Sequence, residues 1–309
     1  MPIRPARSSS RLPSALLLVL VIAGCTDDLP RASARVVAEL DDTIGGPKAL
    51  LRPGDLLLEN DRIRLGILGA RPSLGPHTSG GSLADADLQR NDDRYSHGHG
   101  NDRLAELFST VNMTVARVHD EGGTVAIVAD GSDGGPAEIC TEGPYESFIT
   151  MLDGLWPLVR SPEYRIRTDY ILEPGSAAVL IRTVATVVED RDDGTGSGCD
   201  GPLGTDVAEA PGSDDVMPII ELAMETGLAF GDFYLQGGDV DVFAPDIGFD
   251  EEGYVYDLTR DGANTFQDPI AVDFLAGASE DVSYGLMAAS GRLFVPMFTS
   301  SQTVAVGGG

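Results

Sequence analysis

Two histidines one residue apart, His97 and His99, lie in a polar stretch with Asp92, Asp93 and Asp102. Imidazole nitrogen and carboxylate oxygen together suit zinc or another divalent cation, so His97, His99 and Asp102 form a first candidate ligand set. The competing reading is a solvated loop tip with nothing to hold the rings in place. Asp190, Asp192, Asp193 and Asp200, spaced among glycines, offer the hard oxygen ligands that calcium takes. Their spacing misses the EF-hand pattern, and a disordered acidic insertion explains the same residues. Glu221, Glu225, Asp232, Asp239 and Asp241 supply carboxylates for glycosidase-type chemistry. With 49 acidic residues in the chain such pairs arise by chance, so no acid or base is assigned. Trp156, Tyr164 and Tyr170 are aromatic faces for sugar stacking, or ordinary core. No Gly-x-Ser-x-Gly, P-loop or dinucleotide fingerprint occurs. No catalytic residue is assigned.

Cys140 and Cys199 are the two cysteines of the body. In an oxidising compartment they would pair, if the fold brings them within bonding distance. The formal net charge is -28, and Lys48 is the only lysine. That balance excludes nucleic acid, whose phosphates need cationic partners. It equally excludes binding of anionic headgroups by the protein surface. Acidity of this degree fits cation binding or, more simply, solubility.

The elements that must position these groups are strands. Tyr164, Ile166, Thr168, Tyr170 and Leu172 alternate with Arg165, Arg167 and Asp169, which predicts a strand with one buried and one wet face. Glu173-Pro174-Gly175-Ser176 is a turn, and the return run from Ala178 to Val188, apolar on both faces, is expected inside a sheet. Tyr170 is expected opposite Val179. Leu50 to Ala70 predicts two strands across a turn. Val111 to Val118 and Thr124 to Val128 read as a pair, Ser283 to Pro296 as a hairpin, and Thr303 to Val306 as one more strand. Asp102 to Phe108 suits one or two helical turns, with Leu104, Leu107 and Phe108 on one side. Asp190 to Asp215 is expected to be a mobile insertion. The fold class is all-β, a large antiparallel β-sandwich. The closing triple glycine after a strand suggests a fragment or a lost following domain.

The amino end carries Arg4, Arg7 and Arg11, then the apolar run Ala15 to Ala23, then Ile22-Ala23-Gly24-Cys25. The run is shorter than the roughly 20 residues that span a bilayer. It resembles the signal peptide and lipobox of bacterial lipoproteins. That resemblance implies lipidation at Cys25, a membrane partner through the lipid, and, with Thr26 next, the outer membrane. Residues 1–24 are then the signal peptide, 25–45 a lipidated tether, and 46–309 a β-sandwich domain with the acidic insertion 190–215.

Pro53 to Ile67, Ser79 to Leu88, Asn101 to Phe108, Tyr170 to Thr183, Phe243 to Gly253 and Ser283 to Phe298 together resemble the N-terminal β-rich region of exported myxobacterial proteins. Some of those continue into a PHP-type metallohydrolase domain of the CehA/McbA kind. The resemblance runs from about Pro53 to the end, and its motifs are turn and core signatures. The histidine-rich half of such a hydrolase is not matched by His77, His97, His99 and His119. A fold-level analogy links the pattern to mutarotase-like β-sandwiches. The expectation is a lipid-anchored envelope protein that binds a carbohydrate or an envelope protein, without a cofactor. The alternatives are the leading region of a longer hydrolase and a carbohydrate-active enzyme.

Overall fold

A computed structural model describes residues 29–73, 75, 77–147, 163–188, 198–201, 230–236, 240–245, 248–249, 270–289, 291–298 and 304–308. In chain order the strands are β1 (Ser33–Val36), β2 (Leu56–Glu59), β3 (Ile63–Ile67), β4 (Leu83–Leu88), β5 (Leu104–Val111), β6 (Thr114–Ala116), β7 (Thr124–Asp130), β8 (Ala137–Ser147) and β9 (Tyr164–Leu172). They continue as β10 (Val179–Val187), β11 (Phe230–Gln236), β12 (Asp241–Ala244), β13 (Gly248–Phe249), β14 (Ile270–Val272), β15 (Leu275–Ala278), β16 (Ser283–Leu286), β17 (Leu293–Phe298) and β18 (Val304–Gly308). Two single 3-10 turns, Leu40–Asp42 and Asp93–Tyr95, are the only described helical elements.

The protein is an all-β antiparallel sandwich. One layer runs β1-β2-β3-β4-β5-β11-β18-β17-β14 and the other β7-β8-β9-β10. Strand β8 joins them. Its residues Ala137 to Glu142 pair with β7, while Tyr145 to Ser147 pair with β6, which returns from β5. Gly143-Pro144 stands where the partner changes. Proline offers no N–H to a ladder, and a side chain at Gly143 would lie 2.2 Å from the Arg117 carbonyl oxygen. Between the layers, Leu56, Leu58, Ile63, Leu65 and Ile67 pack against Ala137, Ile139, Tyr170 and Leu172. The period-two alternation of β3 and β9 thus becomes the core itself. A small sheet, β13-β12-β15-β16, adds Leu275 and Tyr284 to the same core.

The β9–β10 hairpin forms, with Gly175 at φ +71 and the Ser176 N–H donating to the Glu173 carbonyl at 3.2 Å. Its register differs from expectation: Tyr170 faces Ile181, and Val179 faces Leu172. The loop takes in Ala177 and Ala178, so each β9 residue meets a partner two positions further along β10 than expected. A shift of two keeps every side chain on its face. Strand β10 pairs only with β9 among the described residues, so it is an edge there, not an interior strand. Leu180 is accordingly exposed.

Other expectations are corrected by bulges and tight turns. Residues 104–111 are a strand, not a helix. A register irregularity beside Ala105 puts Leu104 and Leu107, three apart, on the same inner face. Val111 to Val118 is broken by Asn112 and Met113, at φ 51 and 61, a two-residue turn that starts β6. Strand β6 therefore pairs with β5 and β8, not with β7. Strands β16 and β17 do not form a hairpin, since β16 joins β15 and β17 joins β14 and β18. Part of the expected tether is β1, paired with β2, and Ala32, Val37 and Ile44 are buried.

Candidate functional site

The inward alternation of β9 turns Arg165, Arg167 and Asp169 outward, and β8 presents Glu138, Cys140 and Glu142 beside them. Register places Asp169 between Cys140 and Arg182 of β10, and Arg167 across from Glu142. This face was expected to be wet, but Arg167 and Asp169 are buried. The cover is the segment 198–201. Cys199 is disulfide-bonded to Cys140, with Cα atoms 5.7 Å apart. Arg167 donates through Nη1 to the Gly198 carbonyl and through Nη2 to the Gly201 carbonyl, the latter at 2.8 Å. The Gly198 N–H donates to Glu142 Oε2 at 3.3 Å. These four residues belong to the insertion expected to be mobile, and here they are pinned.

Beneath the cover the charges form a closed set. Arg167 grips Asp169 with Nε at 2.9 and 3.0 Å and Nη2 at 2.6 Å, and its Nη2 lies 3.6 Å from Glu138 Oε1. Arg165 holds Glu142 and donates to the Gly122 carbonyl. Burial pushes the Glu138 carboxyl up to about 7, and the hydrogen bond and charge of Asp169 push the same way, against Arg167 and Arg182. Glu138 therefore keeps its proton up to near neutrality. Both Asp169 oxygens accept from Arg167, which holds the carboxylate against the guanidinium rather than presenting it to a substrate.

A second polar group lies in the first layer. Glu106 accepts from Ser82 Oγ at 2.6 Å and from the His77 N–H at 3.0 Å. Burial raises its carboxyl to about 7, against those two hydrogen bonds. The His77 ring is fully buried and stacks on Phe108 with centroids 5.1 Å apart. It lies by the Ala116 backbone, but neither ring nitrogen makes a hydrogen bond of normal geometry. Burial, then the charge of His119, lowers its pKa to about 3, so it is neutral. Ser79 Oγ accepts the Val118 N–H at 2.9 Å and meets His119 Nδ1 at 2.7 Å. His119 Nε2 lies 3.5 Å from Asp120 Oδ1. Serine, histidine and aspartate are thus in series, as in a hydrolase. Ser79 is wholly buried, however, and no substrate carbonyl reaches its oxygen. The arrangement is a clasp between two loops. No local pattern in the sequence links these groups, since Ser79 and His119 are 40 residues apart and Ser82 and Glu106 are 24 apart.

The candidate metal set does not assemble. His97 and His99 are exposed. Asp102 is buried, its Oδ1 accepting from the amides of Ala86 at 2.7 Å and Leu104 at 3.1 Å. Unpaired amides beside the bulge draw the carboxylate inward, away from the histidines. Burial first, then the charges of Asp85 and Asp87, raise it to about 9. Among the described residues no three of His, Cys, Asp and Glu are grouped to hold a metal ion. Of the candidate calcium ligands, Asp190, Asp192 and Asp193 lie outside the described residues, and Asp200 is exposed. Cys25, Trp156, Glu221, Glu225 and Asp239 also lie outside them. Asp232, on β11, accepts from Ser109 Oγ at 2.6 Å, whereas Asp241 is exposed on β12 of another sheet. Tyr164 and Tyr170 are not a stacking platform. Both are buried, Tyr164 stacked on Tyr145 and Tyr170 donating to the Gly81 carbonyl at 3.0 Å.

No family model, curated protein or solved structure matches this chain. Among the described residues no helix is long and apolar enough to cross a membrane.

Proposed function

We infer that this chain is a lipid-anchored protein of the bacterial outer membrane that binds or scaffolds and performs no catalysis of its own. The observation that carries this reading is the Cys140–Cys199 disulfide. Disulfides form and persist in oxidising compartments, which agrees with an exported chain whose leader, residues 1–24, ends just before Cys25. The polar clusters support a scaffold over turnover, since Asp169, Glu106 and Ser79 all spend their hydrogen bonds on their own chain. The apolar filling between the layers argues against a sugar-cleaving groove there. The partner chemistry that fits is a neutral carbohydrate or an envelope protein, because an acidic surface repels other polyanions. Incorporation of labelled palmitate in the native bacterium, with and without Cys25→Ala, tests the anchor. Loss of label in the variant is expected, and equal label in both refutes the anchor.

A further inference from the structure

We propose that the end of the sandwich where β1 begins is its membrane-facing end, held within about 18 Å of the lipid by a leash of residues 25–29. The occupant of that side is the lipid surface, and the opposite end points away from it. This rests on lipidation at Cys25, as inferred above.

The chain is fixed to the body as soon as it enters. Ser33 pairs with Glu59, the last residue of β2. A side chain at Gly175, in the β9–β10 turn, would lie 3.3 Å from Pro30 Cβ. One at Gly131, in the β7–β8 turn, would lie 2.1 Å from the Ala32 carbonyl oxygen. The Asn60 carboxamide joins the β2–β3 turn to Ser176. Strand register agrees: Ala137 lies between Asp130 and Leu172, and Leu172 lies beside Val179. Three turns, drawn from both layers, thus gather around Pro30 to Ser33.

Cys25 stands five residues before Pro30. A chain spans at most about 3.6 Å per residue. The lipid-bearing residue is therefore no more than about 18 Å from Pro30, whatever conformation residues 26–28 take. Strand β7, seven residues long, separates this end from the β6–β7 turn, closed by the Gly123 N–H on the Asp120 carbonyl, by roughly 20 Å. The leash is shorter than the strands it holds, so it decides which end is near. Asp61, Asp130, Asp133 and Glu173 are exposed at the near end, and anionic headgroups repel them. Covalent reach holds the end there, not adhesion. Standing on that end keeps the long flanks of an acidic body off the leaflet.

The test uses the native lipidated chain in phosphatidylcholine vesicles that carry an energy acceptor on a fraction of their headgroups. A donor dye is placed by maleimide on Ala177→Cys, in the β9–β10 turn, or on Glu121→Cys, in the β6–β7 turn; both positions are exposed. The Cys140–Cys199 disulfide and an acylated Cys25 do not react. The distance to the acceptor plane is expected to be at least about 15 Å shorter from position 177 than from position 121. Twenty Gly/Ser residues inserted after Thr26 are expected to abolish that difference, because the leash then exceeds the strands. Equal distances from the two positions, or the reverse order, overturn the orientation while the anchor stands. A difference that survives the insertion also overturns it, since adhesion would then set the orientation. Native chain that does not stay with the vesicles overturns the anchor, and the orientation with it.

Discussion

The carboxamide of Asn60, in the β2–β3 turn, donates to the carbonyl of Ser176, in the β9–β10 turn, at 2.8 Å. The same nitrogen reaches the Glu173 carbonyl at 2.9 Å. Asn60 Oδ1 accepts the amides of Arg62 and Ile63 at 2.8 and 3.0 Å. One buried side chain thus shapes its own turn and ties it to the hairpin of the opposite layer. Asn60→Ala leaves those turn groups unpaired, and a loss of about 2–3 kcal/mol is expected. Urea unfolding should show a lower midpoint with an unchanged slope.

Cys140 and Cys199 are 59 residues apart in sequence. Loop-closure entropy for that separation puts the loss on Cys199→Ser at about 4 kcal/mol, by the chain-entropy account. A domain of ordinary stability, about 5–15 kcal/mol, stays folded at 25 °C after that loss. The urea midpoint is expected to fall while the β signal in buffer is kept.

Asp102 holds its proton more tightly folded than unfolded, at about 9 against an ordinary 3.8. Below pH 4 both states are protonated and its burial costs nothing in charge. As pH rises the unfolded chain ionises first, so stability falls, by up to about 1.4 kcal/mol per pH unit for one proton. The fall ends near pH 9, where the folded carboxyl also ionises. Glu106 adds the same sign between its ordinary 4.5 and about 7. Asp102→Asn keeps an oxygen for the Ala86 and Leu104 amides. Its stability measured from pH 5 to 8 should decline less steeply than that of the native chain.

Gly45 and Gly54 both have positive φ, +76 and +96. A side chain at Gly45 would lie 1.7 Å from the Gly98 carbonyl oxygen, whereas one at Gly54 meets nothing within 4 Å. Gly54→Ala should cost about 1–2 kcal/mol, the left-handed penalty alone. Gly45→Ala should cost more than about 4 kcal/mol, because backbone must move as well. Thermal unfolding of the two variants separates them.

Local alternation was enough to show β3 and β9, the Pro174-Gly175 turn and the all-β class. Each rests on residues two apart along one strand, whose side chains must face opposite ways. Bulges were not legible. Leu104 and Leu107 have helical spacing, and only the extra residue at Ala105 makes both face inward from a strand. The turn at Asn112-Met113 was hidden for a like reason, since methionine seldom takes positive φ.

The amino-acid sequence by itself determined the layered β class and the strongly acidic balance, because these depend on residue type and short spacing. Tertiary structure alone decided which polar groups meet. Arg167 and Asp169 look like a wet face until Cys199 crosses to Cys140 and Gly198 and Gly201 lie over them. Asn60 and Ser176 are likewise joined only by the folding of one layer onto the other, and Ser79 and His119 only by the meeting of two loops. Partners 40 to 116 residues apart leave no periodic trace in a chain, since no local constraint links their positions.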